Sequence, residues 1–290
     1  MPAATTHAEF AREWKNTLPL DEQKKIANPN MFYLGAQGPD LFFFSDAGMG
    51  KKTLRNYGSL MHQQSPFETL KFMNRYAGED PDLISYIYGY ISHYALDSCA
   101  HPLIFYDARF MGDSQDTETV RHFRVEAIID RIMLQKNGRD ISDYDTDILT
   151  VLSEKDIRKL SGMYVHLFEE VFNWQVSQRK IEQTCRQCSF FLRVLRPNSE
   201  RKFRMIAAVE KLAGAPHMIS SLMLYNRMDH EDELLNLNHQ TFENVHNAEM
   251  KSSASFFDCW QEALKKASAL AHVPDDRSLY ACTYDGTVRN

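Results

Sequence analysis

The chain has 290 residues, of which 43% are hydrophobic and 12% aromatic, so it can bury a large core in one large domain or two small ones. Its formal net charge is -6 and no run of Lys or Arg stands out, which argues against a stable nucleic-acid partner. The 5 cysteines are too few and too scattered for a disulfide scaffold.

The N-terminus, MPAATTHAEFAREWKNTL, has no basic start followed by an apolar stretch, so it does not read as a secretory signal. No window approaches the length of apolar sequence that a membrane-spanning helix needs. We therefore expect a cytoplasmic protein with at most peripheral membrane contact. The sequence does not indicate an oligomeric state.

Helical patterning runs through almost the whole chain. Thr6 and Glu9 have the spacing of a capping box, which predicts a first helix ending near Leu18. Leu34 to Asp46 carries two glycines and a proline before an aromatic run, which predicts a loop leading into a short helix. Further helices are predicted at residues 65–78, 81–100, 116–138, 151–174, 177–195, 201–213 and 255–271.

Strand signals are too weak to predict a sheet. The sequence therefore predicts an all-α fold, a compact multi-helix bundle forming a single domain over residues 1–290. Residues 229–252 are polar and predicted to be rich in coil, and a loose tail is expected after about residue 272.

The stretch HYALDSCAHP contains His93, Asp97 and His101 at steps of four residues. Residues four apart share one face of a helix, so these side chains form either a metal site or an ordinary polar row. Pro102 is expected to end the helix directly after His101. His122 and Glu126 repeat the four-residue spacing, and an imidazole and a carboxylate so placed can bind one zinc ion.

Chance also supplies such pairs. His166–Glu170 and His239–Glu243 have the same pattern, and the first lies on an amphipathic helix where a solvated polar stripe is the simpler explanation. His272–Asp276 is interrupted by Pro274, which argues against a shared helical face. Cys185 and Cys188 form a lone CxxC inside a predicted helix, a weak signal for structural zinc.

The first half of the chain is different because several candidates converge there. Taken in order, THAEF, GAQGPDLFFF, the histidine of SLMHQQSP, GYISHYALDSCAHP and HFRVE resemble the zinc-dependent phospholipase C family. The resemblance covers roughly residues 1–130 and implies an all-helical fold with three clustered zinc ions. It also implies hydrolysis of a phospholipid phosphodiester by direct attack of zinc-bound hydroxide, without a covalent enzyme intermediate.

The resemblance assigns roles to individual residues. It implies that Asp97 bridges two zinc ions, and that Asp40 is the general base or orients the attacking water. The implied zinc ligands are His62 and His93 for one ion of the bridged pair, His7 with the chain terminus for the other, and His101, His122 and Glu126 for a third ion.

Some features differ from the family pattern or have simpler explanations. In secreted members a processed terminal amine binds zinc, whereas here removal of Met1 would expose Pro2. His101 also follows Asp97 more closely than in the best-known toxins, and no separate membrane-binding domain is recognisable. Asp40 has an alternative use as a helix cap. Phe42, Phe43 and Phe44 are expected in the core rather than inserted into lipid.

Two other classes of function remain open. A nuclease or small phosphate-ester hydrolase would use the same fold and zinc arrangement, although the negative net charge disfavours nucleic acid. A non-catalytic metal-binding scaffold is disfavoured because every implied ligand position holds a competent side chain. The segment Leu235 to His239, LNLNH, has no assigned role.

Overall fold

The structure is a computed structural model. It describes residues 4–48, 53–64, 66–109, 116–139, 152–195, 200–214, 217–223, 241–244, 247–253 and 256–288. Met1, Pro2, His239 and the LNLNH segment lie outside these ranges, so their predicted roles stay predictions.

Helices account for nearly all the regular structure in these ranges, which confirms the all-α prediction. The first six helices are α1 (Ala4–Thr17), α2 (Leu20–Lys25), α3 (Pro29–Gly35), α4 (Arg55–Gln63), α5 (Pro66–Ala77) and α6 (Pro81–Ala108). The next five are α7 (Glu118–Lys136), α8 (Glu154–Phe172), α9 (Gln178–Val194), α10 (Glu200–Leu212) and α11 (Phe256–His272). Short 3-10 helices lie at Gly38–Gly48, Ser220–Leu222 and Arg277–Tyr280.

Helix α6 is the central element, and α1, α3, α5, α7 and α11 all pack against it. It begins where the Asp80 side chain accepts hydrogen bonds from the first-turn amides and where Pro81 occupies the first turn, both typical start signals. Most of its residues are buried, including Tyr86, Tyr90 and Tyr94. A helix surrounded by others is apolar on most faces, so its few buried polar residues need partners from neighbouring helices.

Pro102 does not end α6, contrary to prediction. The helix continues to Ala108 with Pro102 in its interior, at the cost of one helical hydrogen bond, because Pro has no N–H to donate. The surrounding helices hold this turn in place, since residues on both sides of Pro102 are buried. His101 therefore lies within a continuous helix rather than at its end.

The predicted capping box at Thr6 is also wrong. Helix α1 is already under way at Ala4, and both the Thr6 amide and its hydroxyl donate to Oδ1 of Asp130 on α7. Glu9 instead accepts hydrogen bonds from Arg12, Asn137 and Arg139. Tertiary contacts with α7 thus replace the local cap that the sequence pattern suggests.

Part of the predicted coil between residues 229 and 252 forms an antiparallel hairpin. Its strands are β1 (Thr241–Asn244) and β2 (Asn247–Ser253), with Thr241 opposite Ser253 and an irregularity after Glu243. The strands are too polar to show the alternation by which a strand is recognised from sequence.

The segment after His272 is packed rather than loose. Tyr280 and Tyr284 are buried, and the Tyr94 hydroxyl of α6 donates to the carbonyl of Cys282. The Tyr94 and Tyr280 rings are stacked with their centroids 5.7 Å apart. These large aromatic contacts tie the C-terminal segment to the central helix.

Two smaller predictions concern aromatic and cysteine side chains. Phe42 and Phe44 are buried as expected for core residues, and Phe43 is half-buried beside His62. Cys185 and Cys188 are free, buried thiols on α9, and burial raises the pKa of Cys185 to about 12. None of the helices in the described ranges is long and apolar enough to cross a membrane.

Candidate metal centre

Five structural elements bring the eight predicted site residues together. His7 lies on α1, Asp40 on the 3-10 helix Gly38–Gly48, His62 on α4, His93, Asp97 and His101 on α6, and His122 and Glu126 on α7. All but His122 are buried, and His122 is half-buried.

The Asp97 carboxylate is at the centre of this cluster. Its Oδ1 atom lies 3.1 Å from Nε2 of His7, and its Oδ2 atom lies 3.0 Å from Nε2 of His93 and 3.7 Å from Nε2 of His62. The two oxygens thus face different histidines. A carboxylate oriented in this way can contribute one oxygen to each of two cations.

Asp40 and His62 form a second close pair, with 3.1 Å between Oδ1 and Nε2. This contact supplies the acidic partner that the sequence around His62 lacks. Within the described residues the Asp40 side chain makes no capping bond to the helix that follows, so the contact with His62 better explains its position. The carboxylate of Asp40 also lies close to ring nitrogens of His7 and His93 that could bind a metal ion.

His101, His122 and Glu126 form a third cluster at the interface of α6 and α7. Oε1 of Glu126 lies 3.2 Å from Nε2 of His122 and 3.7 Å from Nε2 of His101. The two imidazole rings are stacked with centroids 5.4 Å apart. Nδ1 of His101 is also 3.6 Å from Oδ2 of Asp97, so this cluster adjoins the one around Asp97.

Backbone carbonyls orient three of the imidazoles. Nδ1 of His62 donates to the carbonyl of Gly58 at 2.8 Å, Nδ1 of His93 to Ala36 at 3.1 Å, and Nδ1 of His101 to Tyr284 at 3.0 Å. A carbonyl can only accept, so each Nδ1 carries a proton, and Nε2 is the nitrogen that would bind a metal in place of its own proton.

Gly38 allows the His93 ring to lie against the backbone of the 3-10 helix. Gly38 has φ of +52°, and a Cβ atom at this position would lie 2.1 Å from Cδ2 of His93. A larger residue is therefore excluded twice, by conformation and by collision. The glycine of the GPD turn places Asp40 close to His93.

The electrostatics of the cluster are those of a site for cations. Burial would raise the pKa of Asp97, but neighbouring imidazoles, including His101 and His93, hold it well below its usual range. Burial would lower the pKa of His101, but the carboxylates of Asp97 and Glu126 raise it to about 10. Buried carboxylates are costly without compensating positive charge, so this concentration of negative groups favours binding of cations.

The donor set fits zinc. Histidine nitrogen and carboxylate oxygen are ordinary zinc ligands, and three to four protein ligands are enough for one ion. Possible ligand atoms come within 4.8 Å of one another in three groups, of which the first two share His93, namely His7–Asp40–His93, His62–His93–Asp97 and His101–His122–Glu126. Nε2 of His93 is buried and makes no well-aligned hydrogen bond within the described residues although Oδ2 of Asp97 lies 3.0 Å away, as expected of two ligand atoms placed to share a metal ion. Cys185 and Cys188 belong to none of these groups.

Two other histidine–carboxylate pairs of the sequence, His166–Glu170 and His272–Asp276, lie in the described ranges and form no comparable cluster there. His166 and Glu170 are exposed on α8, where Glu170 pairs with Arg75 and the His166 ring packs against Tyr76. Asp276 caps the short helix Arg277–Tyr280. His166 and Glu170 thus form part of a solvated polar surface, as the sequence predicts, and Asp276 has a structural role as a helix cap.

Sequence reasoning missed two groups around the site. Asp130 follows Glu126 on α7 by four residues, just as Glu126 follows His122. This repeated spacing could have predicted that Asp130 lies on the same helical face. Tyr284 lies far away in the chain, and no local pattern marks it as part of the site.

This architecture defines a helical metalloprotein with a buried centre of histidines and carboxylates. The centre has ligand groups for more than one cation. The chain belongs to the zinc-dependent phospholipase C family, whose family model matches residues 6–175. It is therefore a zinc-dependent hydrolase of the phospholipase C type, and the family implies phospholipid as the substrate. No curated protein and no solved structure gives a match.

Proposed function

We propose that this chain hydrolyses the phosphodiester bond of phospholipids and releases the phosphorylated headgroup. One observation carries the proposal, namely where the predicted site residues lie. All eight predicted site residues fall within residues 6–175, the range that matches the family, and the same residues meet in one buried centre.

The proposed ligands divide among three ions. His62 and His93 with Oδ2 of Asp97 would hold one ion, and His7 with Oδ1 of Asp97 the second. His101, His122 and Glu126 would hold the third. The contacts of the two Asp97 oxygens support the bridging role, since each oxygen faces a different imidazole. When bound, zinc lowers the pKa of a coordinated water and neutralises charge that develops on phosphoryl oxygens.

Asp40 is the proposed proton acceptor. Burial would raise the pKa of Asp40, but positive charge around it, including the His62 imidazole, holds the pKa below its usual value. The carboxylate is therefore ionised at neutral pH and can orient a water or accept its proton as that water attacks phosphorus. The bond between phosphorus and the diacylglycerol oxygen would then break, the proton taken up by Asp40 would pass to that oxygen, and no covalent bond to the protein would form.

Headgroup release tests the proposal directly. The purified chain, with zinc, is incubated with phosphatidylcholine vesicles, single-stranded DNA and a chromogenic phosphodiester. We expect release of phosphocholine from the vesicles and its loss after treatment with a zinc chelator. Cleavage of DNA alone would instead indicate a nuclease.

The zinc content of the same preparation tests the centre itself. We expect two or three zinc ions per chain. Less than one ion per chain, together with no hydrolysis of any of the three substrates, would contradict both the metal centre and the enzyme, and would leave the scaffold hypothesis.

A further inference from the structure

The C-terminal turn around Tyr284 lies outside the range that matches the family, yet it contacts the candidate metal centre. The turn is closed by hydrogen bonds from the Gly286 amide to the Thr283 carbonyl and from the Thr283 amide to the Thr287 carbonyl. Tyr284 occupies the turn and is fully buried. Its position therefore results from specific contacts rather than from chance proximity of a chain end.

Both backbone groups of Tyr284 bind residues of the centre. Its carbonyl accepts from Nδ1 of His101 at 3.0 Å, and its amide donates to the carbonyl of His62 at 3.2 Å. The first bond holds Nδ1 of His101 on the Tyr284 carbonyl and so directs Nε2 to Glu126, whereas the second anchors the end of α4 that carries His62. One residue thus links the His101 cluster to the His62 cluster.

The side chain of Tyr284 holds this backbone in place. Its ring centroid lies 5.3 Å from that of His62 and 5.8 Å from that of His93, and its hydroxyl donates to the Tyr90 hydroxyl at 2.9 Å. The ring packs against both imidazoles. Rotation of either imidazole away from Asp97 is therefore restricted.

Gly286 and Pro102 fit the turn onto α6. Pro102 has no N–H, so the Ser98 carbonyl lacks its helical donor, and the turn lies over this position. Gly286 has φ of +73°, and a Cβ atom there would lie 2.4 Å from Cγ of Pro102 and 3.3 Å from the Ser98 oxygen. Any side chain at residue 286 would push the turn away from His101, the neighbour of Pro102.

We propose that the C-terminal turn, residues 282–288, is a positioning element of the metal centre that sets the tautomer and orientation of His101 through the Tyr284 carbonyl. The inference rests on the proposed metal centre. It assigns to a segment beyond the family match a role in zinc affinity at the His101–His122–Glu126 cluster. Removal of such an outer hydrogen-bond partner typically weakens metal binding roughly 10- to 100-fold.

The test compares Gly286→Ala with Gly214→Ala in the full chain. Gly214 has φ of +74° but nothing within 4 Å of a Cβ atom, so its substitution brings the same backbone strain without a collision. Zinc affinity is measured by competition with a chromophoric chelator, and helix content by circular dichroism. We expect Gly286→Ala to weaken binding of one zinc ion roughly 10- to 100-fold and Gly214→Ala to bind like the unmodified chain.

A double-mutant comparison separates positioning from general destabilisation. In a His101→Ala background the Tyr284 carbonyl has lost its partner, so Gly286→Ala should cause little further loss of zinc affinity. An equal loss in both backgrounds would overturn the proposal. Should Gly286→Ala fail to fold, Tyr284→Leu, which removes the ring that anchors the turn, is measured in the same way.

The outcomes for the two proposals are distinguishable. If the unmodified chain binds no zinc, the metal centre itself fails. If it binds zinc and Gly286→Ala or Tyr284→Leu binds every ion equally well, the metal centre stands and the role of the turn is refuted.

Discussion

Oδ1 of Asp97 on α6 lies 3.1 Å from Nε2 of His7 on α1, while its other carboxylate oxygen contacts His93. The pair joins the first helix of the chain to the central one inside the core, where both side chains are buried. A carboxylate shared in this way is the natural link between two cations, and the consequences of removing its charge can be measured.

Asp97→Asn should therefore lose zinc and activity together. The amide keeps the shape of the side chain but replaces one oxygen with a donor that cannot bind a cation. We expect at least one zinc ion per chain to be lost, and headgroup release to fall by more than the roughly 10- to 100-fold typical of an outer-shell change. Elemental analysis and the phosphatidylcholine assay measure the two effects.

Asp107→Asn is the matched control for this variant. Asp107 is another buried aspartate of α6, about 15 Å further along the helix at 1.5 Å per residue. Its substitution should leave the zinc content unchanged. Equal zinc in Asp97→Asn and in the unmodified chain would contradict the bridging role.

His122→Ala should remove one zinc ion from the third cluster. Its Nε2 atom lies 3.2 Å from Glu126, and its loss leaves two protein ligands where three are expected. His166→Ala is the control, because His166 also has a glutamate four residues later but is exposed on α8. Elemental analysis should show a lower zinc content for the first variant alone, and the same loss in both would count against the assignment.

The sequence predicted the parts of the site that lie within one helix better than those that join helices. His93, Asp97 and His101 are close because residues four apart on a helix share a face. Asp40 and His62 are distant along the chain and form their contact only through the fold, so only the family resemblance could predict it. Tyr284 contacts His101 through its backbone carbonyl, a group that every residue has, so its residue type gives no signal of this contact.

The errors in the predicted fold have the same origin. Pro102 is a local stop signal that the buried surroundings of α6 override, and the Thr6 cap is replaced by a contact with Asp130. Both are local patterns whose outcome tertiary packing decides. The all-α class was predictable because helical periodicity repeats over many segments, and single exceptions do not change it.

Asp40→Asn separates a proton acceptor from a metal ligand. If Asp40 accepts the proton of the attacking water, headgroup release should fall roughly 10²- to 10⁴-fold while zinc content stays unchanged. Loss of zinc in this variant would make Asp40 a ligand instead, in keeping with its proximity to His7 and His93. Activity and zinc are therefore measured on the same preparation.

Asp130→Ala should destabilise the chain through Thr6. Both donors of Thr6 bind Oδ1 of Asp130, and the amide of Thr6 lies in the first turn of the described part of α1, where backbone amides need partners from outside the helix. Leaving these buried donors unsatisfied should lower the free energy of unfolding by about 1–3 kcal/mol. Urea unfolding measures the change, and Asp130→Asn, which keeps an acceptor, should be less destabilised. Equal stability of Asp130→Ala and the unmodified chain would refute the importance of this contact.

The buried carboxyl group of Asp107 should make the free energy of unfolding depend on pH, separately from the metal centre. Burial raises the pKa of Asp107 to about 7, and within the described residues its Oδ2 atom has no hydrogen-bond partner. The folded chain thus keeps a proton that the unfolded chain loses near pH 4, so the contribution of Asp107 to stability falls as the pH rises from about 4 to about 7. Asp107→Asn has no such proton and should avoid this loss.

The measurement is the difference in free energy of unfolding between Asp107→Asn and the unmodified chain at fixed zinc. Effects of pH on the zinc ligands are common to both proteins and cancel in this difference. We expect the variant to gain stability relative to the unmodified chain, by up to a few kcal/mol, across the interval from about pH 4 to about pH 7. Parallel stability curves would mean that the Asp107 carboxylate is ionised in the folded chain, and so that a cationic or donor group compensates its burial.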